Sequence, residues 1–335
     1  MSGPLNPAPI FGMMTAYQQS AALHAAIELG LFTAIAEGHN TSSTIANACG
    51  CSERGARILA DYFGAFGLLT KQGQAYSLTP DATVFLNKNS PAYLGGMDGF
   101  LNAAGIRKQF DFLTEAVRKG GVAASSEGST ANQYEGWVDF AKSMEAMMGM
   151  AAQQIAGMVN EGKQENLTVL DVAASHGLFG FSIAKQNANA KIVALDWANV
   201  LEITKANAER WGLSDRVSTI AGDAFAVDLG GPYDVILLTN LLHHFSFAEN
   251  VKLLKRIKAA LKPGGRVFTL EFVPNDDRVT PPMPASFALV MLASTPQGDA
   301  FTFAELESMF AAAGFSASTQ IGLEASPQSV ILSLA

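Results

Sequence analysis

From residue 167 onward the chain alternates short β-branched runs with helical stretches, and few folds accommodate that alternation. TVLDVA (168–173), KIVALD (191–196), RVSTIAGD (216–223), YDVILLTN (233–240) and GRVFTLEFV (265–273) are each followed by a helical segment. Strands covered on both faces read as near-continuous apolar runs, and consecutive parallel strands need a crossover helix between them. The pattern therefore predicts an α/β architecture, a Rossmann-like doubly wound sheet. The end differs: after a helix around residues 303–313, FSASTQIG (315–322) and SVILSLA (329–335) lie close enough to pair antiparallel at the sheet edge.

The first 90 residues follow another pattern. Residues 21–36, AALHAAIELGLFTAIA, place Leu23, Ile27, Leu31 and Ile35 at a helical stagger, with Gly30 as a break between two helices. Residues 41–48 read as a short capped helix. Ser52 opens a second one that Gly67 stops, and LLTKQGQAYSLT (68–79) gives a hairpin around a Gln72-Gly73 turn. Helix, helix, hairpin is the pattern of a winged helix, whose obvious use is DNA binding. Yet residues 1–90 hold four basic residues, Arg54, Arg57, Lys71 and Lys88, against five acidic ones. A recognition helix needs a basic footprint, so the unit is read as a dimerisation or interaction module. Residues 91–162 are again helical, with GGVAASSEGS (120–129) as a loop between two long helices. The second helix would carry Trp137, Phe140, Met144, Met147 and Met148 near one face.

The whole chain, 335 residues with a net charge of −8, is acidic, which disfavours a function dominated by nucleic-acid phosphates. Apolar residues make up 49% and charged ones 16%, enough to bury a core; no stretch approaches the roughly 20 apolar residues of a spanning helix. MSGPLNPAPI has neither the basic nor the apolar region of a secretory signal, so a cytoplasmic location is expected. Cys49 and Cys51 lack the companions of a zinc site and are read as small structural residues; no metal is expected.

In an open α/β sheet the ligand lies beyond the carboxyl ends of the strands. After the first strand, Asp171 is followed by Ala173, Ala174, Ser175 and Gly177, small residues that let a ligand approach the backbone. A dinucleotide loop would want glycines at 173, 175 and 178; Ala173, Ser175 and Leu178 fail that pattern, so a ligand without phosphates fits better. Asp196 ends the second strand 19 residues after Gly177, a spacing suited to an acid on ribose hydroxyls. Asp223 ends the third, where a carboxylate can accept from an exocyclic amine while Phe225 packs on a ring.

This ordered set, with ELGLF (28–32), GLLTKQGQAYSLTP (67–80), LLHHF (241–245), LKPGGRV (261–267) and AAAGF (311–315), resembles the class I S-adenosylmethionine-dependent O-methyltransferases that carry an N-terminal winged-helix dimerisation domain. The chain has Ala173, Ala174 and Ser175 where that family usually has glycines. The resemblance implies a homodimer, and S-adenosylmethionine held by Asp171, the 173–177 loop, Asp196, Trp197, Gly222, Asp223, Ala224, Phe225 and Thr239. It implies a winged-helix dimerisation domain over residues 1–105, a helical linker contributing to the substrate pocket over 106–160, and a cofactor-binding domain over 161–335. It also implies that His243 is the general base, matching the family's histidine, with His244 and Phe245 in place of the acid or amide and the tryptophan that usually follow.

An imidazole, with an ordinary pKa of about 6.5, can take the proton of a phenol as its oxygen attacks an activated methyl. The family orients its histidine with a carboxylate; Glu271 and Asp299 are the candidates, Asp299 one residue away from the family position, which Ala300 holds. The acceptor pocket is expected from Trp137, Phe140, Met144 and Met147, and from Met283, Phe287, Met291 and Leu292 after the fifth strand; Met283, Phe287 and Met291 share a face if residues 285–293 are helical. Methionine and aromatic walls favour flat apolar acceptors. Relatives on this architecture that methylate carbon, or that hydroxylate or decarboxylate, are alternatives. So, from another class, is a cofactor-sensing regulator using the winged unit.

Overall fold

The computed structural model describes residues 5–161 and 166–335, so the first four residues of the N-terminal reading, and Gly162 at the end of the helical stretch, lie outside the described residues. The chain divides between Asn102 and Ala103 into two compact units.

In the first unit α1 (Ala8–Leu29) stops at Gly30, which takes a left-handed φ of 73°, and α2 (Leu31–Ala36) starts from it. Thr41 and Thr44 cap α3 (Ser42–Cys49) reciprocally, and the Ser52 side chain caps α4 (Glu53–Ala65) by accepting from the Gly55 N–H. β1 (Leu69–Gln72) and β2 (Ala75–Leu78) pair with Gln72 opposite Ala75, so the turn is Gly73-Gln74, one residue later than expected. Gly73, at φ 60°, supplies the positive φ that a two-residue hairpin loop demands at its first position. Helices α5 (Pro80–Phe85) and α6 (Asp98–Leu101) complete the unit. Its core is Phe32, Ile35, Ile45, Phe63, Leu69 and Tyr76, while Ile10, Phe11, Met13, Met14 and Tyr17 stand exposed on α1.

The second unit begins with three short helices, α7 (Ala104–Asp111), α8 (Leu113–Lys119) and α9 (Gly136–Ser143), and one long one, α10 (Glu145–Asn160), rather than two long ones. Gly120, at φ 82°, ends α8 and opens the expected loop. The chain breaks at Met144, which ends α9 and starts α10, so the expected aromatic and methionine stripe is divided between two helices. There follow β3 (Thr168–Val172), α11 (Leu178–Gln186), β4 (Lys191–Asp196), α12 (Ala198–Arg210), β5 (Val217–Ala221), β6 (Tyr233–Thr239), α13 (Phe247–Ala259), β7 (Leu261–Glu271), α14 (Pro282–Ser294), α15 (Phe303–Ala312), β8 (Ala317–Gly322) and β9 (Ser329–Leu334). The seven strands run in the order β5-β4-β3-β6-β7-β9-β8, parallel from β5 to β7. β9 is antiparallel to β7 and to β8, so the chain's last two strands form the sheet's edge with β8 outermost.

Alternating side chains supply two cores, as the two-residue period of a strand requires. Val169, Val235, Leu237 and Phe268 pack with Ile155 of α10 and Phe181 and Ile183 of α11. On the other face Leu170, Ile236, Leu238 and Val267 pack with Leu253 and Leu254 of α13 and Phe310 of α15. Strand order reverses at β3, next to β6, which places a crevice outside their carboxyl ends.

Candidate active site

Two groups of polar residues gather at that crevice. The first is the turn from β3 into α11. Ala173 and Ser175 take left-handed φ values of 56° and 54°, which L side chains adopt only where the surroundings impose them. Here they do: the Ser175 N–H donates to Asp196 Oδ2 at 2.8 Å, the Thr204 hydroxyl donates to the Ser175 carbonyl at 2.5 Å, and Asn207 Nδ2 donates to the His176 carbonyl at 3.0 Å. The Ala174 N–H pairs with the Leu195 carbonyl. At Gly177 the φ is 79°, and a Cβ would run into the Phe181 ring at 2.3 Å. Thr204 and Asn207 carried no sequence signal, because anchors on a neighbouring helix become visible only once α12 is placed.

Two of the acids at the strand ends, Asp171 and Asp196, are buried and costly. Burial pushes the Asp171 carboxyl up to about 7, opposed by the Gly180 N–H and reinforced by Asp196. Burial also raises Asp196 to about 6, against the N–H groups of Ser175 and Trp197. Asp171 Oδ1, Ser175 Oγ, His176 Nε2 and Asn199 Oδ1 are buried without a hydrogen-bond partner. His176 Nδ1 accepts from the Leu178 N–H at 3.2 Å, so the ring proton sits on Nε2, and burial depresses its pKa to about 4. The unpartnered oxygens of Asp171, Ser175 and Asn199, beside two raised carboxylates, suit a ligand rich in N–H and O–H donors and carrying positive charge. Gly222, at φ 138°, leads into Asp223, whose Oδ1 accepts from the Phe225 N–H at 2.8 Å; Ala224 gives its carbonyl to Arg256, Phe225 meets Phe245 edge-on, and Thr239 is buried at the end of β6.

The second group lies on a 3-10 turn after β6. His243 Nδ1 is hydrogen-bonded to Glu271 Oε2, and Glu271 Oε1 accepts the N–H groups of Leu241 and Leu242 at 3.2 and 2.8 Å. His243 is 4% and Glu271 3% exposed, so solvent does not compete for this pair. Asp299 does not join it. Its carboxylate binds Arg278 at 3.2 Å, and only its backbone N–H reaches the His243 carbonyl, because Gly298 packs so closely on that carbonyl that the chain passes by its main chain.

Aromatic residues link the two groups. Phe287 stacks on Phe272 and meets His243 edge-on at 4.9 Å; Trp137 meets His244 at 5.0 Å and Phe140 at 5.8 Å; Phe140 stacks with His176 at 6.3 Å. Trp137, Phe140 and Phe287 are thus brought to the histidines, whereas Met147 packs on the core below and Met283, four residues from Phe287 on the same face of α14, is 60% exposed and left uncovered. Met144 and Met291 are buried and Leu292 half-buried. His176 and the contact of His244 with His243 were missed from sequence; the signal available was a histidine inside a run of small residues and a second one beside the first.

Known families, relatives and solved structures resemble the chain over most of its length. The model of the O-methyltransferase domain matches residues 114–316, and that of the O-methyltransferase dimerisation domain matches residues 11–88. The tetracenomycin polyketide synthesis 8-O-methyl transferase of Streptomyces glaucescens is 27% identical over 313 residues, covering 92% of this chain and 91% of its own. A 3-hydroxy-5-methyl-1-naphthoate 3-O-methyltransferase of Streptomyces sahachiroi is 28% identical over 316 residues, covering 92% and 90%. A provisionally assigned O-methyltransferase of Nostoc punctiforme, known by its crystal structure, superposes with a TM-score of 0.96 at 50% identity, over 99% of this chain and 100% of its own.

Proposed function

The chain belongs to the O-methyltransferase family with an N-terminal dimerisation domain, which makes it an S-adenosylmethionine-dependent enzyme, and we propose that it methylates a hydroxyl of an apolar aromatic small molecule with His243 as general base. The observation that carries the proposal is the buried Glu271–His243 pair beside the aromatic side chains of Phe287 and Trp137. Glu271 accepts from Nδ1–H of His243, so the lone pair is on Nε2. A phenol ionises near pH 10, and a positioned base worth about 10² to 10⁴ in rate removes that obstacle at neutral pH.

S-adenosylmethionine, when bound, supplies a methyl group already activated by its sulfonium. Asp171 and Asp196 would hold its donor groups and offset its charge; Ala173, Ala174, Ser175 and Gly177 lie on the turn after β3, Asn199 lies in the first turn of α12, and Trp197, Gly222, Asp223, Ala224, Phe225 and Thr239 complete the set. The aromatic side chains of Trp137, Phe140 and Phe287 take a flat acceptor and exclude water, with Met144 and Met291 behind them. Relatives whose names specify a naphthoate and an aromatic polyketide support that class of acceptor. A screen of hydroxynaphthoates, phenols, amino acids, sugars and nucleotides with methyl-labelled S-adenosylmethionine tests it. Aromatic hydroxyls are expected to lead by about 10² or more in kcat/KM, and transfer to any other class at equal efficiency overturns the proposal.

Residues 1–105 serve as the dimerisation domain, residues 106–160 form the linker that contributes to the acceptor pocket, and residues 161–335 hold the cofactor. The protein works as a homodimer, since Ile10, Phe11, Met14 and Tyr17 expose an apolar stretch of α1 that a monomer gains nothing by keeping. Light scattering should give a dimer for the full chain and a lower mass for Phe11→Glu with Met14→Glu; an unchanged mass removes α1 from the interface. No described helix is long and apolar enough to cross a membrane.

A further inference from the structure

His244 occupies a position that the Glu271–His243 pair leaves unexplained. Its Nε2 lies 3.1 Å from Nε2 of His243, and its Nδ1 lies 3.4 Å from the Ser129 hydroxyl. All three are buried, at 4%, 8% and 5% exposure for His243, His244 and Ser129, so no bulk water bridges them. With Glu271 ionised and both rings neutral, the hydrogen-bonding capacities assign every proton. Glu271 only accepts, so His243 donates from Nδ1 and its Nε2 has no proton. His244 must donate from Nε2 to that lone pair, which leaves His244 Nδ1 as an acceptor for the Ser129 hydroxyl. The base of the proposed reaction is therefore already hydrogen-bonded, and the open acceptor of the chain is Nδ1 of His244, whose bond to Ser129 is long and weak.

We infer that His244 is a catalytic proton relay: the acceptor hydroxyl takes the place of the Ser129 hydroxyl at Nδ1 of His244, and its proton reaches His243 through the second ring. The protons balance in one concerted shift. The acceptor O–H proton moves to Nδ1 of His244, the Nε2 proton of His244 moves to Nε2 of His243, and the Nδ1 proton of His243 stays on that nitrogen, hydrogen-bonded to Glu271. The oxygen keeps the electron pair with which it bonds to the methyl carbon, the broken carbon–sulfur bond leaves its pair on sulfur, His244 ends neutral in its other tautomer, and the positive charge rests on His243 beside the Glu271 carboxylate. Burial and the neighbouring His243 hold the His244 pKa well below its usual value, which suits a ring that passes a proton without keeping it.

The surroundings hold this geometry. The Trp137 indole N–H donates to the Ser129 carbonyl at 3.0 Å while its ring edge meets His244. Gly128, at φ 58°, sits where a Cβ would fall 2.0 Å from the Ser294 carbonyl, so the loop carrying Ser129 is pinned against the end of α14. Val122 N–H ties the same loop to the Thr295 carbonyl at 2.8 Å.

The inference rests on the reading of His243 as the base, and the experiment separates the two. Nitrogen-15 histidine NMR of the full wild-type chain should show His243 protonated at Nδ1 and His244 at Nε2; His244 protonated at Nδ1 overturns the relay whether or not an acceptor has been found. Single-turnover methylation of a hydroxynaphthoate in H₂O–D₂O mixtures should give a curved dependence on deuterium fraction, for two protons in flight. In His244→Gln, whose amide donates a hydrogen bond and cannot pass a proton, the rate should fall tenfold or more and the dependence become straight, with cofactor Kd within twofold. A smaller loss, a straight wild-type plot or curvature kept in the variant overturns it. Absence of any methylated aromatic hydroxyl in the wild type counts against the acceptor reading alone, and the tautomer measurement then decides the relay.

Discussion

Asp61 on α4 and Asp171 at the end of β3 are both carboxylates tied into their units by hydrogen bonds, and the two units treat them in opposite ways. Asp61 lies near the surface, accepting from Lys71 at 2.6 Å, Tyr76 at 2.7 Å and Arg57 at 3.0 Å; the Lys71 ammonium, with Tyr76, lowers its pKa to about 2. Asp171 is fully buried with one backbone N–H and an unpartnered oxygen, and burial raises it to about 7. Among the described residues, the buried side-chain atoms without a partner all lie in the second unit. A carboxylate that stabilises a fold is paired, and one kept buried and half-paired is held for something else. The first unit is organised for packing, the second for a ligand.

The largest effect that could break this contrast is at the base. His243→Ala should lower methyl transfer by about 10² or more while cofactor affinity stays within about threefold, because the ring serves the acceptor. Transfer rates and calorimetry on the same preparation decide it, and a parallel loss of both would place His243 in the cofactor site. Next, Asp196→Ala should weaken cofactor binding at least about tenfold, since losing the partner of two hydroxyls costs on the order of 1.5 to 3 kcal/mol. In the wild type the affinity should rise between pH 5 and 8, as Asp196 and Asp171, with pKa values of about 6 and about 7, become charged and attract the cation. A flat profile would mean that neither carboxylate meets the ligand.

Much of this contrast was legible in the sequence. The β-branched runs gave every strand of the parallel sheet, because burial on both faces leaves a strand few residue choices, and the order small-residue turn, Asp196, Asp223 and His243 marked the carboxyl edge. Local chemistry also gave Gly30, Thr41 and Ser52 as helix ends. What escaped depends on contacts between distant segments. Asp299 turns to Arg278, 21 residues earlier in sequence, and Ser129 reaches His244 across 115 residues. The break at Met144 was hidden because the apolar spacing continues across it. Met283 lies on the expected helix, yet a helix places a residue on a face without saying whether that face is covered.

The remaining pair of substitutions sharpens the comparison through stability. Asp171 binds its proton more tightly folded than unfolded, so its contribution is fully present below about pH 3.8 and is lost as pH rises through about 7. At neutral pH the charged form is a cost, and Asp171→Asn should raise Tm at pH 7.5 by about 2 °C or more, with the gain shrinking toward pH 4.5 and cofactor binding impaired. Thermal scans at the two pH values check this; a variant less stable at pH 7.5 than the wild type would make Asp171 a structural residue like Asp61.

The smallest effect belongs to Asp61 itself. Its pKa is lowered on folding, so the sign is reversed: the stabilisation is present above about pH 3.8 and is lost only as pH falls through about 2. The pair with Lys71 is a third exposed on both sides, where solvent and salt screen most of the attraction. Asp61→Asn should therefore move Tm by no more than about 2 °C at pH 7, less still in 0.5 M salt, and leave cofactor affinity and methyl transfer unchanged. The amide keeps an acceptor for the Tyr76 hydroxyl, so the half-buried bond that anchors β2 to α4 survives the loss of charge. A drop in Tm well beyond that range, persisting at high salt, would show that the first unit also depends on a desolvated carboxylate and would dissolve the contrast drawn between the two units.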